Sequence, residues 1–182
     1  MRLSELFIYK LCDLIKEEDE DYVRSLLSSF KCSAEPAAED FLKRTAAKHE
    51  INGISRTYLF LEEGDSGAPL VKGFFTLAVK CLAIDRQNNI PGDILAQMNV
   101  DRGVAQAYLL GQLAKADGME KGFGRLMIKR ALGVFSKGNE MFGCRVVRLD
   151  CRDWLLGYYE SCGFVPTGKN HNGTLNQMVA II

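Results

Sequence analysis

Residues Asp117–Leu126 read "DGMEKGFGRL". They follow the apolar run "VAQAYLLGQLA" and open the run "LMIKRALGVF", so a strand, a glycine-bearing turn and a helix succeed one another. Gly122 and Gly124 remove Cβ atoms where a ligand would meet the backbone. The first helical amides, from Gly122 through Arg125, lack an acceptor inside the helix and lie at the positive end of its dipole. A phosphate would satisfy several of them at once. Lys115, Lys121 and Arg125 offset the charge of such an anion, while Asp117 and Glu120 oppose it. The plain alternative is a tight strand-to-helix turn that binds nothing. Two nucleotide motifs are excluded. The dinucleotide fingerprint needs a third glycine where Met127 stands, and the chain after Cys151 is too short for the rest of a doubly wound sheet. A P-loop needs a closing Gly-Lys-Ser/Thr, which is absent.

Outward from this motif, the pattern is that of one α/β domain, residues 1–182. "LFIYKL" from Leu6 reads as a short strand. "EEDEDYVRSLLSSF" places Tyr22, Val23, Leu26, Leu27 and Phe30 at helical spacing behind an acidic start that suits the helix dipole. Pro36 stands at a first helical position, and the helix it opens carries Phe41, Leu42, Thr45, Ala46 and His49 on one stripe until Gly53. "ISRTYLFLEE" and "LVKGFFTLAVKCLAI" are strands joined by the turn "EGDSGAP", an antiparallel hairpin. The stretch 85–103 is a long polar connection with one helical turn at "GDILAQM". The helix after the glycine motif runs from about Gly122 to Ser136, and "CRVVRLDC" is the next strand. "DWLLGYYESC" is a short helix with Asp153 as N-cap and Gly163 just past its end. "FVPTG" and "LNQMVAII" form a closing antiparallel pair around "KNHNG". The predicted order is β-α-α-β-β-β-α-β-α-β-β.

The bulk composition excludes several classes. Lys+Arg and Asp+Glu balance at 23 each, which does not advertise broad nucleic-acid binding. No apolar run reaches membrane-spanning length, and the N-terminal stretch lacks a signal-peptide cleavage site. The six cysteines carry no C-x-x-C pair and the histidines are only two, so no metal site is expected and the thiols fit a reducing cytoplasm.

"YLLGQLAKADGMEKGFGRLMIKRAL", "GCRVVRLDCRD", "GYYESCGFVP" and "LNQMVAII" together resemble the GCN5-related N-acetyltransferase superfamily. They are most similar to small bacterial members with "LGxLA", a "YExxGF"-type segment and a final "LxQM" strand. The resemblance covers nearly the whole chain and implies a mixed, mostly antiparallel sheet flanked by helices, its strands splayed to admit a cofactor. It implies acetyl-CoA as cosubstrate, with the amides of Lys121, Gly122, Phe123, Gly124 and Arg125 on its pyrophosphate. Met119 stands where the family's loop has Arg or Gln. The backbone of Leu113, Ala114 and Lys115 would pair with the pantetheine arm as an added strand does, and an amide near Leu113 or Ala114 would polarise the thioester oxygen.

Tyr159, in "YESCGF", matches the family's general acid. A phenol titrates near ~10 and an alkyl thiol near ~8.5, so the phenol stays protonated at neutral pH and can donate to a nascent thiolate. Tyr158 is the core-packing neighbour. The general base is open: Glu62 and Glu63 come first, with Asp150, Cys151 and His171 behind them. His49 is read as a packed or half-exposed helix histidine and His171 as an exposed turn residue. The expected acceptor is a small-molecule or peptide primary amine, bound between "KCSAE", "KNHNG" and the 85–103 stretch, with a homodimer as a common form of such folds. Two alternatives remain: a toxin that acetylates aminoacyl-tRNA and pairs with an antitoxin, the one case with a nucleic-acid partner, and a CoA-binding module without turnover.

Overall fold

The computed structural model describes residues 6–64, 67–84 and 89–182. Parts of the "EGDSGAP" turn and the opening of the 85–103 stretch fall outside them. The chain forms two compact units: Met1–Leu77 with Gln112–Met127, and Ala78–Gly111 with Ile128–Ile182. The strands Pro69–Val79 and Tyr108–Lys115 and the helix Phe123–Phe142 each begin in one unit and end in the other. The architecture is α/β with mostly antiparallel strands; the strand Tyr108–Lys115 pairs in parallel with the strand Val146–Cys151.

The first unit opens with β1 (Phe7–Lys10), then α1 (Leu11–Glu17), α2 (Glu20–Ser28), α3 (Pro36–Arg44), α4 (Ala46–Ile51), β2 (Arg56–Glu63) and β3 (Pro69–Val79). The two helices expected here are four. Leu11 ends β1 instead of extending it, because Leu11 and Leu14 bury on a helical face. The second predicted helix breaks at Thr45, which closes α3 and opens α4. The acidic start of α2 behaves as expected: the Asp19 carboxylate accepts the Tyr22 amide at 2.7 Å, and Glu20 pairs with Arg24 one turn on. Among the described residues of this unit, Glu50 is the buried carboxylate. It accepts the Thr57 amide and holds Arg56 at 2.9 Å, tying α4 to the start of β2. Paired in this way, the charge avoids the several kcal/mol that a lone buried ion would cost.

β2 pairs antiparallel with both β1 and β3, and the β2–β3 register shifts at Phe60/Leu61, opposite Gly73 and Val71. Phe30, Phe60, Phe74 and Phe75 fill the core. Gly73 is obligatory there, since a Cβ at this position would lie 2.8 Å from both Phe123 Cε1 and Met127 Sδ.

The second unit contains β8 (Val146–Cys151), β9 (Val165–Lys169) and β10 (Asn176–Ile181). β10 lies antiparallel between β8 and β9, as the closing pair predicts. The 85–103 stretch is more structured than its polarity suggests. α5 (Gly92–Leu95) and β5 (Val100–Asp101) lie in its described part, and β5, β6 (Val104–Ala105) and β4 (Leu82–Ala83) form a small antiparallel sheet. Ile90, Ile94 and Met98 pack on a core of Leu82, Ala105, Ala107, Val146 and Val179. Three apolar residues at helical spacing inside a polar string are enough to dock it.

β7 (Tyr108–Lys115) and α6 (Phe123–Phe142) flank the glycine motif. α6 continues past Ser136 until Gly143, whose amide closes on the Asn139 carbonyl at a left-handed φ of 77°.

Candidate active site

The glycine motif lies wholly in the first unit. The amides of Gln112 and Ala116 point toward β3, one donating to Thr76 Oγ1 at 2.7 Å and the other to the Lys72 carbonyl at 2.8 Å. Peptide groups alternate along a strand. Those of Leu113 and Lys115 therefore face the opposite edge, and that of Ala114 faces β3. On that opposite edge β7 pairs with β8 only at Tyr108 and Leu109. Leu113 and Lys115 thus have main-chain groups to offer an extended ligand arm.

Beyond β7 the loop turns several of its side chains inward or back on itself, while Glu120 and Lys121 stay exposed. Met119 and Phe123 are buried, and Phe123 meets Phe60 edge-on with centroids 5.3 Å apart. The Met119 side chain belongs to the core, so at this position it is not available to a ligand. Lys115 Nζ donates to the carbonyls of Met119, at 2.8 Å, and Glu120, at 3.4 Å. The Asp117 carboxylate accepts from Ser33 through its amide and its hydroxyl (2.7 Å), while the Asp117 amide reaches the Lys31 carbonyl at 2.9 Å. Asp117 is therefore occupied with the turn before α3.

Main chain is left facing outward. Gly122 adopts φ 92°, a left-handed value that favours glycine, and nothing lies within 4 Å of where its Cβ would be. The first helical bond runs from the Leu126 amide to the Gly122 carbonyl at 3.1 Å. The Phe123 and Gly124 amides precede it and have no acceptor inside the helix. Lys121 and Arg125 are exposed beside them. This donor set suits a diphosphate: amides at the positive end of a long helix, two exposed cations and open space in front.

The remaining candidates, apart from Glu62 and Glu63, belong to the second unit. Asp153 does not cap a helix. Arg152 precedes a 3-10 turn, Asp153–Leu155, which leads into α7 (Leu156–Glu160). The Asp153 carboxylate instead accepts from Lys169 Nζ at 2.8 Å and Asn176 Nδ2 at 2.7 Å. These bonds hold its carboxyl below the usual range, the Lys169 bond most of all. Tyr159 is buried, with Phe164 edge-on at 5.9 Å and Tyr158 at 5.3 Å. Its carbonyl accepts the amides of Cys162 and Phe164, folding the chain into β9. Tyr158, expected to be the packing residue, is only half-buried, so the two tyrosines exchange depth.

Each base candidate has a definite setting. Glu62 is ion-paired with Lys72 at 2.9 Å in the first unit, and Glu63 is exposed. Asp150 accepts from Arg148 Nη2 at 2.8 Å, while Arg148 Nη1 reaches the Cys81 carbonyl. Burial, aided by the Asp150 charge, pushes the Cys151 thiol up to about 11, which unfits it as nucleophile or base near neutrality. His171 is exposed, as expected, and lines a polar cleft of about 910 Å³ with Lys80, Arg148, Asp150, Lys169 and Gln177. His49 packs on Phe41 with centroids 5.4 Å apart. Lys80 and Arg148 escaped the reading of the sequence. Alternation along "VVRLDC" does place Arg148 and Asp150 on one face, but nothing local marks Lys80, which looks like strand interior.

No family model and no curated protein matches the chain. Solved structures are. AtaT complexed with acetyl-methionyl-tRNAfMet matches with TM-score 0.73 at 22% identity, over 94% of this chain and 93% of that one. A tyrosine-to-phenylalanine mutant of KacT matches at 0.72 and 20% identity, covering 95% and 94%. A bacterial toxin matches at 0.74 and 16% identity, covering 97% and 90%. Likeness at such identities, over nearly the full length of both partners, is a likeness of fold. The chain has the GCN5-related N-acetyltransferase fold, in the form it takes in AtaT and KacT.

Proposed function

We propose that residues 1–182 act as one acetyltransferase domain that moves an acetyl group from acetyl-CoA directly to the amino group of an aminoacyl-tRNA. The carrying observation is the full-length match to AtaT complexed with acetyl-methionyl-tRNAfMet. Matches to AtaTR bound with AcCoA, and to an AtaT mutant bound to the C-terminus of the antitoxin AtaR and acetyl-CoA, support the cosubstrate and a protein antitoxin as partner. The free small-molecule amine favoured by the balanced charge finds no support among these structures. Such a role places the protein in the cytoplasm, and among the described residues no helix is long and apolar enough to cross a membrane.

In this reading the amides of Lys121, Gly122, Phe123, Gly124 and Arg125 hold the diphosphate, with the Lys121 and Arg125 charges in support. Leu113 and Lys115 pair through their main chain with the pantetheine arm, beside Ala114. An amide of this strand steadies the thioester oxygen as charge develops. The acceptor nitrogen bonds to the acetyl carbon as the carbon–sulfur bond breaks. Tyr159 gives its phenolic proton to the departing sulfur, and the surplus proton on nitrogen passes to solvent. An α-amino group titrates at roughly 7.7–8.0, so on the order of a tenth is neutral at pH 7. No strong base is then required, which fits the ion-paired state of Glu62 and Asp150.

Radiolabelled acetyl-CoA incubated with charged tRNA, uncharged tRNA, polyamines and peptides tests the reading. Label is expected in charged tRNA alone and is released by mild alkaline deacylation. Label in polyamine or peptide, with none in charged tRNA, overturns it.

A further inference from the structure

Trp154 is the only tryptophan of the chain and is 70% exposed. Single exposed apolar residues are ordinary; the surroundings of this one are not. The Arg152 guanidinium carbon lies 5.1 Å from the indole centroid, a cation–π contact that steadies the ring. Between the two, Asp153 is bonded to Lys169 and Asn176, which fastens the 3-10 turn to β9 and β10. Lys169 also lines the polar cleft, whose charged lining is Lys80, Arg148 and Lys169 against Asp150, with His171 beside them.

A flat aromatic face held by a guanidinium, next to a cleft with a basic excess, matches one ligand chemistry: an unpaired nucleic-acid base with its phosphates. Every base has a face to stack, and the phosphates seek cations. Tryptophan also anchors protein interfaces, but such anchors sit inside apolar, water-excluding rings. Here the exposed residues that flank it in the chain are Arg152, Asp153 and Gly157. The 3-10 turn runs directly into α7, which carries Tyr159. We propose that Trp154 and Arg152 form a stacking platform for the unpaired 3′-terminal bases of the tRNA acceptor. The inference rests on the aminoacyl-tRNA reading above and extends it to the residues that seat the acceptor.

Because Trp154 is the sole indole, its emission reports the platform directly. Full-length protein carrying Tyr159→Phe, which holds turnover low, is titrated with a single-stranded RNA ending in CCA and with a blunt RNA duplex. Saturable quenching by the single strand, weakened by salt and by Arg152→Gln, is expected. In the otherwise wild-type protein, Trp154→Ala should raise KM for charged tRNA about 5- to 150-fold, and Trp154→Phe should restore most of it, with KM for acetyl-CoA unchanged in both. Absence of quenching, together with undisturbed tRNA acetylation in Trp154→Ala, overturns the platform and leaves the proposed function standing. A concentration-dependent blue shift without RNA assigns the indole to a second copy of the chain and also overturns it. Quenching by RNA without acetylation of any charged tRNA keeps the platform and removes the acceptor reading instead.

Discussion

Two of the connections that leave a strand and enter a helix are built in opposite ways. From Ala116 to Gly122 several side chains are engaged: Met119 is buried, Asp117 is bonded to Ser33, and the amine of the preceding Lys115 folds over the loop carbonyls. What faces outward is main chain with the Glu120 and Lys121 side chains. From Arg152 to Gly163 the assets are side chains: an exposed indole beside a guanidinium, and a buried phenol. An anion held by amides tolerates changes of side chain but not of backbone path. A proton donated by one hydroxyl tolerates neither loss nor displacement of that group.

The sharpest way to break this contrast is Tyr159→Phe. Turnover should fall about 10²- to 10⁴-fold while the calorimetric Kd for acetyl-CoA stays within a small factor. A large loss of coenzyme affinity would make Tyr159 part of the binding frame. Next comes Phe123→Ala, which excavates the floor beneath the loop. Urea unfolding should show a loss of about 3–5 kcal/mol, because this fully buried ring packs on Phe60 and over Gly73. Gly122→Ala tests the backbone itself. Space is available for the methyl group, but φ of 92° is costly for an L side chain. A cost of about 1–2 kcal/mol is expected, read as weaker coenzyme binding at near-normal kcat.

The smallest effect is electrostatic. The Asp153 carboxyl titrates below its usual 3.8 because of Lys169 and then Asn176. A depressed folded value means that its contribution to stability is present above the unfolded pKa. It is lost as pH falls through the lower folded one. Asp153→Asn should therefore flatten the acid limb of a Tm–pH profile below pH ~4 and leave neutral pH nearly unchanged. An unaltered acid limb would show that the bonds to Lys169 and Asn176 do not persist in solution.

The loop was legible because its demands are local. A helix start exposes amides wherever it occurs, and glycine is what a left-handed turn residue asks for. Pro36 at the head of α3, the hairpin of β2 and β3, and the closing pair β9–β10 follow from equally short-range rules. Where prediction failed, partners were distant in sequence. Asp153 is a good helix cap by type, but Lys169 and Asn176 compete for its carboxylate. The 85–103 stretch looked like a bare connection because the surface that receives Ile90, Ile94 and Met98 comes from strands on either side of it. Met119 stands in an exposed-looking polar string, yet its side chain is spent on the core.

From the chain of letters alone came the alternation of strands and helices, the glycine turn before α6 and the short helix that carries "YESCGF", all set by neighbours a few residues apart. Folding decided the rest. It buried Tyr159 more deeply than Tyr158, turned Asp117 toward Ser33, paired Arg148 with Asp150 beside Lys80 and left Trp154 in water. Hydrogen bonds and periodicity within one turn are written in local order, whereas burial and charge pairing depend on which remote segments pack together.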